Sequence, residues 1–194
     1  MDCVRQLMVK GSKTKIQEYI KLVRANPKKY SMLQARISQL IGEGVNISLQ
    51  GKGGNTLLHT AISLESERLL LMFLKHGVRV DVANDSGDAP IHKAIMKGNL
   101  KLVKLLLDYG ADINLPREME QTPLHLAVIS GNMQMVEYLV DRGADIMIID
   151  EINNFPIDYA IDERDINIIE YFLKKQVVDE KRAEQIKAIR NCED

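Results

Sequence analysis

Three of the four histidines, His59, His92 and His125, are the first residues to ask for chemistry, because imidazole serves as a metal ligand and as a general base. They stand 33 residues apart, and so do the residues around them. A metal needs ligands that converge on one point at bonding distance. Side chains displaced by a constant 33 residues belong instead to equivalent places in successive units, where hydrogen bonding to local backbone is the expected role. His76 precedes a glycine that closes a helix and is expected to be exposed. Gly51-Lys52-Gly53-Gly54-Asn55-Thr56 has the glycines and lysine of a phosphate-binding loop, but the lysine comes too early and no strand precedes it. Cys3 and Cys192 sit at opposite ends of the chain with no histidine nearby, which gives neither a disulfide framework nor an activated thiol. Asp85-Ser86-Gly87-Asp88 reads as a polar turn, and Asn46-Ile47-Ser48 is an acceptor sequence for glycosylation without a secretory signal. No nucleophile is paired with a base and no carboxylates converge. The expectation is a protein that is not an enzyme, with no cofactor and no metal.

The periodicity that excludes a metal centre also defines the architecture. Thr56-Leu57-Leu58-His59, Ala89-Pro90-Ile91-His92, Thr122-Pro123-Leu124-His125 and Phe155-Pro156-Ile157-Asp158 start at 56, 89, 122 and 155. Ala61, Ala94, Ala127 and Ala160 keep the same register, as do Leu74, Leu107, Val140 and Leu173; Gly44, Gly77, Gly110 and Gly143 form a further column. Proline at the second position of the tetrad suits the first turn of a helix, where its missing N–H costs nothing. The alanine lets a neighbouring helix approach closely. Leu100, Leu102, Val103, Leu106 and Leu107 then recur at helical spacing before glycine ends the second helix. Each unit is therefore helix, turn, helix and projecting loop, and must bury its apolar face against its neighbours.

A 33-residue unit carrying Thr-Pro-Leu-His and, later, Gly-Ala-Asp-Ile-Asn resembles the ankyrin repeat. The resemblance implies an all-α solenoid of stacked helix-turn-helix units with projecting hairpin loops. We divide residues 51–176 into four repeats, 51–83, 84–116, 117–149 and 150–176. Residues 1–50 form a divergent N-terminal repeat or helical cap, with amphipathic segments at Thr14–Ala25 and Ser31–Gly42. Residues 177–194 form a C-terminal capping helix and tail. The last repeat departs from the pattern at Phe155 and Asp158 and lacks the closing glycine after Leu173, as befits a terminal unit. Leu106 with Asp112-Ile113-Asn114 resembles the site that asparaginyl hydroxylase modifies in ankyrin repeats of animal cells, so Asn114 is a candidate modification site; the alternative is that it braces its loop.

The same resemblance implies that partners meet the concave face, made of loop tips and the exposed sides of first helices. The tip positions are Lys52, Gly53 and Asn55; Asp85, Ser86 and Asp88; Glu118, Met119 and Gln121; and Glu151, Ile152 and Asn154. The helix positions are Ser63 and Leu64, Met96 and Lys97, Ile129 and Ser130, and Asp162 and Glu163. Met96, Met119, Ile129, Ile149 and Ile152 are apolar where polar residues would serve the fold, the mark of a protein interface; the alternative for Ile149 is that it tucks under its own loop.

Charge is segregated as well. The whole chain of 194 residues carries 26 basic and 27 acidic residues. Residues 1–50 hold 9 basic and 3 acidic ones (net +6), and residues 117–166 hold 3 basic and 11 acidic ones (net −8). Such a field selects a partner with a complementary basic patch. With 5% aromatic residues and no Trp, a nucleic-acid surface is not expected.

We therefore expect a monomeric, cytoplasmic adaptor, scaffold or inhibitor, with nuclear entry or delivery into a host cell left open. It would bind another protein, not nucleic acid or membrane. Apolar anchors would lie around Met119, Ile129 and Ile152, and an acidic rim would come from Asp150, Glu151, Asp162 and Glu163. The alternatives are a ligand- or nucleotide-responsive ankyrin module using Lys52, Lys93 and Lys97, or the recognition domain of a larger protein.

Overall fold

A computed structural model describes residues 50–175 together with Ala35, Ser38, Gln39, Arg182, Ala183, Glu184 and Ile186. Eight helices in the 50–175 stretch form four pairs: α1 (Leu57–Ser63) with α2 (Glu67–Lys75), α3 (Pro90–Met96) with α4 (Leu100–Asp108), α5 (Pro123–Ile129) with α6 (Met133–Asp141), and α7 (Pro156–Asp162) with α8 (Ile166–Lys174). There are no strands among the described residues. The helical reading of Thr14–Ala25 lies outside them, while Ala35, Ser38 and Gln39 of the second N-terminal segment are helical, as are Arg182–Glu184 and Ile186 of the C-terminal one.

Each pair is built by the same local rules. The second helix of every unit opens on a side-chain cap: Ser66, Asn99, Asn132 and Asp165 accept from the backbone N–H three residues on, at 3.1 to 3.3 Å. Such caps contribute about 1 kcal/mol apiece. The first helices α1, α3, α5 and α7 pack in sequence, each against the next. The alanine column explains how: Ala61, Ala94, Ala127 and Ala160 are at most 1% exposed, and no larger side chain keeps those backbones apart. Leucines and isoleucines of both helix layers fill the space between pairs, with Leu58, Leu70, Ile91, Leu102, Leu106, Leu124, Leu139 and Ile168 all fully buried. One continuous core runs through all four units. Ile186 joins it at the C-terminal end.

The histidines are the polar members of that core. In the first three units the ring Nδ1 accepts the backbone N–H that opens its own helix, from Thr56, Ala89 and Thr122 at 3.0 to 3.1 Å. An accepting Nδ1 carries no proton, so the tautomer is protonated on Nε2. That Nε2 donates to a carbonyl at or just before the following finger: His59 to Asp88 at 2.8 Å and His125 to Asn154 at 3.1 Å, both in the next unit, and His92 to Leu115 at 2.8 Å, at the end of its own unit. The expected local bracing is therefore half of the role, and the other half reaches towards the following finger, across the unit boundary at His59 and His125. His76 is half-buried rather than exposed, because its ring meets Ser38 Oγ at 3.1 Å.

Burial holds all three of these histidines below their ordinary value of 6.5, against the opposing pull of the carbonyl acceptors. With the folded pKa depressed, the unfolded chain binds more protons near pH 6, so stability is lost as pH falls through 6.5. Urea denaturation followed by circular dichroism should therefore show a lower midpoint at pH 5.5 than at pH 7.5 (about three protons taken up on unfolding, at most), and His125→Gln should flatten that dependence.

Candidate interaction surface

Between helix pairs the chain projects as a short finger that turns back on itself. Backbone bonds close each one: Gly51 N–H to the Asn55 carbonyl at 2.8 Å, Asn84 to Asp88 at 2.9 Å, Arg117 to Gln121 at 2.9 Å and Asp150 to Asn154 at 3.0 Å. In the second and fourth fingers a side chain at the base repeats the work. Asn84 Oδ1 accepts from Ser86 and Asp88, and Asp150 Oδ1 accepts from Ile152 and Asn154. Arg117 holds that place in the third finger and cannot accept. It lies 3.2 Å from the Asp88 carboxylate instead, a contact of charges in which the Nε–H is not aimed at the oxygen.

Neighbouring fingers touch. The Asp85 N–H donates to the Gly53 carbonyl at 3.2 Å, and the Glu151 N–H donates to the Met119 carbonyl at 3.0 Å. Gly54 has a positive φ of 66°, and a Cβ on it would stand 2.4 Å from the Asp85 carboxylate, so only glycine fits between those two tips. The third finger adopts the same turn without glycine: Met119 and Glu120 have φ of 62° and 57°. Left-handed backbone costs about 1–2 kcal/mol at a residue with a side chain.

Asp150 corrects the expected acidic rim. It is 3% exposed, because its carboxylate is used up inside the finger and by the Tyr159 hydroxyl, which donates to Oδ2 at 2.5 Å. Burial alone would raise its pKa, but the Tyr159, Asn154 and Ile152 donors outweigh that and hold it below the usual carboxylate value. Burial and the bond to Asp150 raise the Tyr159 hydroxyl in turn. Gln121 is also committed, since its side-chain amide donates to the Tyr159 oxygen at 3.1 Å. Asn154 is half-buried, with its carbonyl accepting from His125.

The other residues expected to bind the partner on the third and fourth units are exposed, as is Met96, whereas the tip and helix positions Asn55, Leu64 and Asp88 of the earlier units are half-buried. Met96 and Ile129 occupy equivalent places at the ends of adjacent helices α3 and α5, at 49% and 42% exposure. Met119 and Ile152 occupy equivalent places on adjacent finger tips, at 48% and 56%. Glu118, Glu151, Asp162 and Glu163 are exposed beside them, as is Ile149, which does not tuck under its loop. Lys97, next to Met96 in the chain, lies 3.9 Å from Glu65, so it already has an acidic neighbour. Asn114 braces: its side-chain oxygen accepts the Asp145 N–H of the next unit at 2.9 Å.

Two residues outside the expected set help shape this face, Tyr159 and Arg182. Arg182 pairs with Asp158 through Nε and a terminal nitrogen at 2.5 and 2.6 Å, and its guanidinium covers the Phe155 ring at 4.6 Å. A sign of this was present in the sequence. A carboxylate at the buried histidine position needs a donor from further along the chain, and the predicted C-terminal helix carries several cations. Asp158 also keeps the local half of the histidine's role, accepting the Phe155 N–H at 2.8 Å. Among the described residues no group of histidine, cysteine, aspartate or glutamate could hold a metal, and no helix is long and apolar enough to cross a membrane.

If the third finger retains its strained turn for the sake of its side chains, Met119→Gly should leave the protein at least as stable in thermal melts. The expected gain is up to about 1 kcal/mol, net of the extra freedom of the unfolded chain. A loss of more than that would mean the Met119 side chain is needed by the fold.

Comparison with known proteins agrees with this geometry. A family model described as ankyrin repeats (many copies) matches residues 58–107 and 91–140, and one described as ankyrin repeats (3 copies) matches residues 116–182. No curated protein matches the chain significantly. The matched residues cover most of the chain and all four tetrads apart from the opening residues of the first: the chain belongs to the ankyrin-repeat family.

Proposed function

We propose that this protein is a non-catalytic interaction module that binds another protein on the concave face of its third and fourth units, and so recruits, scaffolds or inhibits that partner. Ankyrin repeats are in general protein–protein interaction modules. The observation that carries the reading here is the group of exposed apolar side chains in equivalent places, Met96 with Ile129 and Met119 with Ile152. Stacking does not need them, since every unit's core is complete without them. Apolar side chains grouped and rimmed by charge mark protein interfaces, and methionine adapts to irregular partners.

The rim is acidic. Glu118, Glu151, Asp162 and Glu163 are exposed around the apolar positions, in a stretch with 11 acidic and 3 basic residues. A complementary partner presents a basic surface with apolar side chains at its centre, and like-charged competitors are repelled. The central apolar contacts supply most of the affinity, while the rim sets the association rate and its salt dependence.

Affinity capture from lysate, comparing the protein with its Ile129→Arg, Ile152→Arg variant by quantitative mass spectrometry, tests this. The variant should lose its specific partners by at least about tenfold, because an arginine at the centre of an apolar contact is desolvated without a counter-charge. Its thermal melt should stay close to that of the parent protein, since both positions are exposed. Equal recovery of the same proteins by both forms would show that this face is not the interface.

A further inference from the structure

The fourth unit ends in a slot that the following finger fills in the first and third units. The Gly53 and Met119 tip carbonyls each accept an N–H from the following finger. Ile152 stands in the same column, and no donor reaches its carbonyl among the described residues. Beside it lies a cavity of about 320 Å³, walled by finger residue Ile152, by Ile161 and Asp162 of α7, and by the Asp158–Arg182 pair.

This slot does not have the chemistry that stacks a further unit. In the first three units an Nε2–H points at a carbonyl at or just before the following finger. Here the equivalent group is Asp158, and its carboxylate is fully engaged by Arg182 and the Phe155 N–H. Arg182 is held in turn by that carboxylate and by the Phe155 ring, so its charge is spent within the protein. Asp162 has no such compensation: it is exposed, lines the cavity and forms no ion pair among the described residues. The uncompensated charge of the cavity is therefore negative, and two isoleucines form its apolar walls.

We propose that this cavity is the seat of one long cationic side chain, arginine or lysine, on a turn of the partner protein. The aliphatic stem lies along Ile152 and Ile161, the charged head meets Asp162, and a backbone N–H beside it reaches the Ile152 carbonyl as the following finger does at Gly53 and Met119. Snorkelling side chains of this kind bury their methylenes while the head stays with its counter-charge. The proposal rests on the partner being a protein, and it adds the residue type that the acidic end of the array selects.

Nuclear magnetic resonance on the full chain tests it with three probes: the N-acetyl methylamides of arginine, lysine and norleucine. The arginine or lysine probe should shift the amides of Ile152, Asn154 and Asp162 saturably at millimolar concentration, and the relative sizes of the two effects identify the preferred cation. Norleucine, which has the stem without the charge, should not. Asp162→Asn should weaken the effect about tenfold with the rest of the spectrum unchanged. No shift with either cation, equal shifts with norleucine, or undiminished affinity in Asp162→Asn would each overturn the proposal. The test separates it from the groove reading: silent amides alongside capture lost on Ile129→Arg remove the cavity alone, whereas saturable shifts alongside capture retained in that variant remove the groove alone.

Discussion

A buried ring with two nitrogens must satisfy both, and in each of the first three units the histidine does so by spanning from its own helix start to the chain at the following finger. One nitrogen accepts from the turn that opens its own helix, and the other donates to a carbonyl at or just before the following finger. Neither bond could be lost cheaply at such burial, where an unsatisfied polar atom costs about 1–3 kcal/mol. The pair of bonds therefore ties the position of each finger to the helix of the unit before it. Close packing of the first helices over the alanine column does the rest, and the fingers project in a fixed relation to one another.

That rigidity frees the finger tips from structural duty. Where two tips must pass closely, as at Gly54 against Asp85, the sequence yields to the backbone and places glycine. In the third finger it does the opposite, keeping Met119 and Glu120 in left-handed backbone at a cost in strain. Strain of that kind is tolerated where the side chains are worth more than the lost stability. Here they are an exposed thioether and an exposed carboxylate, next to Ile152 and Glu151 of the following finger. Surface chemistry and backbone strain thus coincide on the third and fourth units.

The fourth unit solves the problem of ending an array. A histidine at position 158 would present an Nε2–H with no following finger among the described residues to receive it. Aspartate keeps the bond to its own helix start and exchanges the outward donor for an acceptor, which Arg182 fills. Ile186 is buried in the core at this end of the stack. The space beside Ile152 and Asp162 stays open.

The sequence by itself determined the fold: a 33-residue period, helical spacing within it, and capping residues at constant positions leave one architecture, because no unit can bury its own apolar face. The resemblance that the sequence carries also implied which apolar residues lie outside the core, with Met119 and Ile152 on loop tips and Met96 and Ile129 on the exposed sides of first helices, and all four are exposed. Only the tertiary structure decided the fate of the polar residues. Asp150 and Glu151 are neighbours of the same charge, yet one is buried on three donors and the other is exposed. The difference lies in Tyr159, nine residues away and brought over the finger by α7. Arg182 reaches Asp158 across 24 residues in the same way. Periodicity reports burial because burial follows backbone geometry, whereas hydrogen-bond and ion-pair partners depend on where distant side chains meet, and no local pattern encodes that.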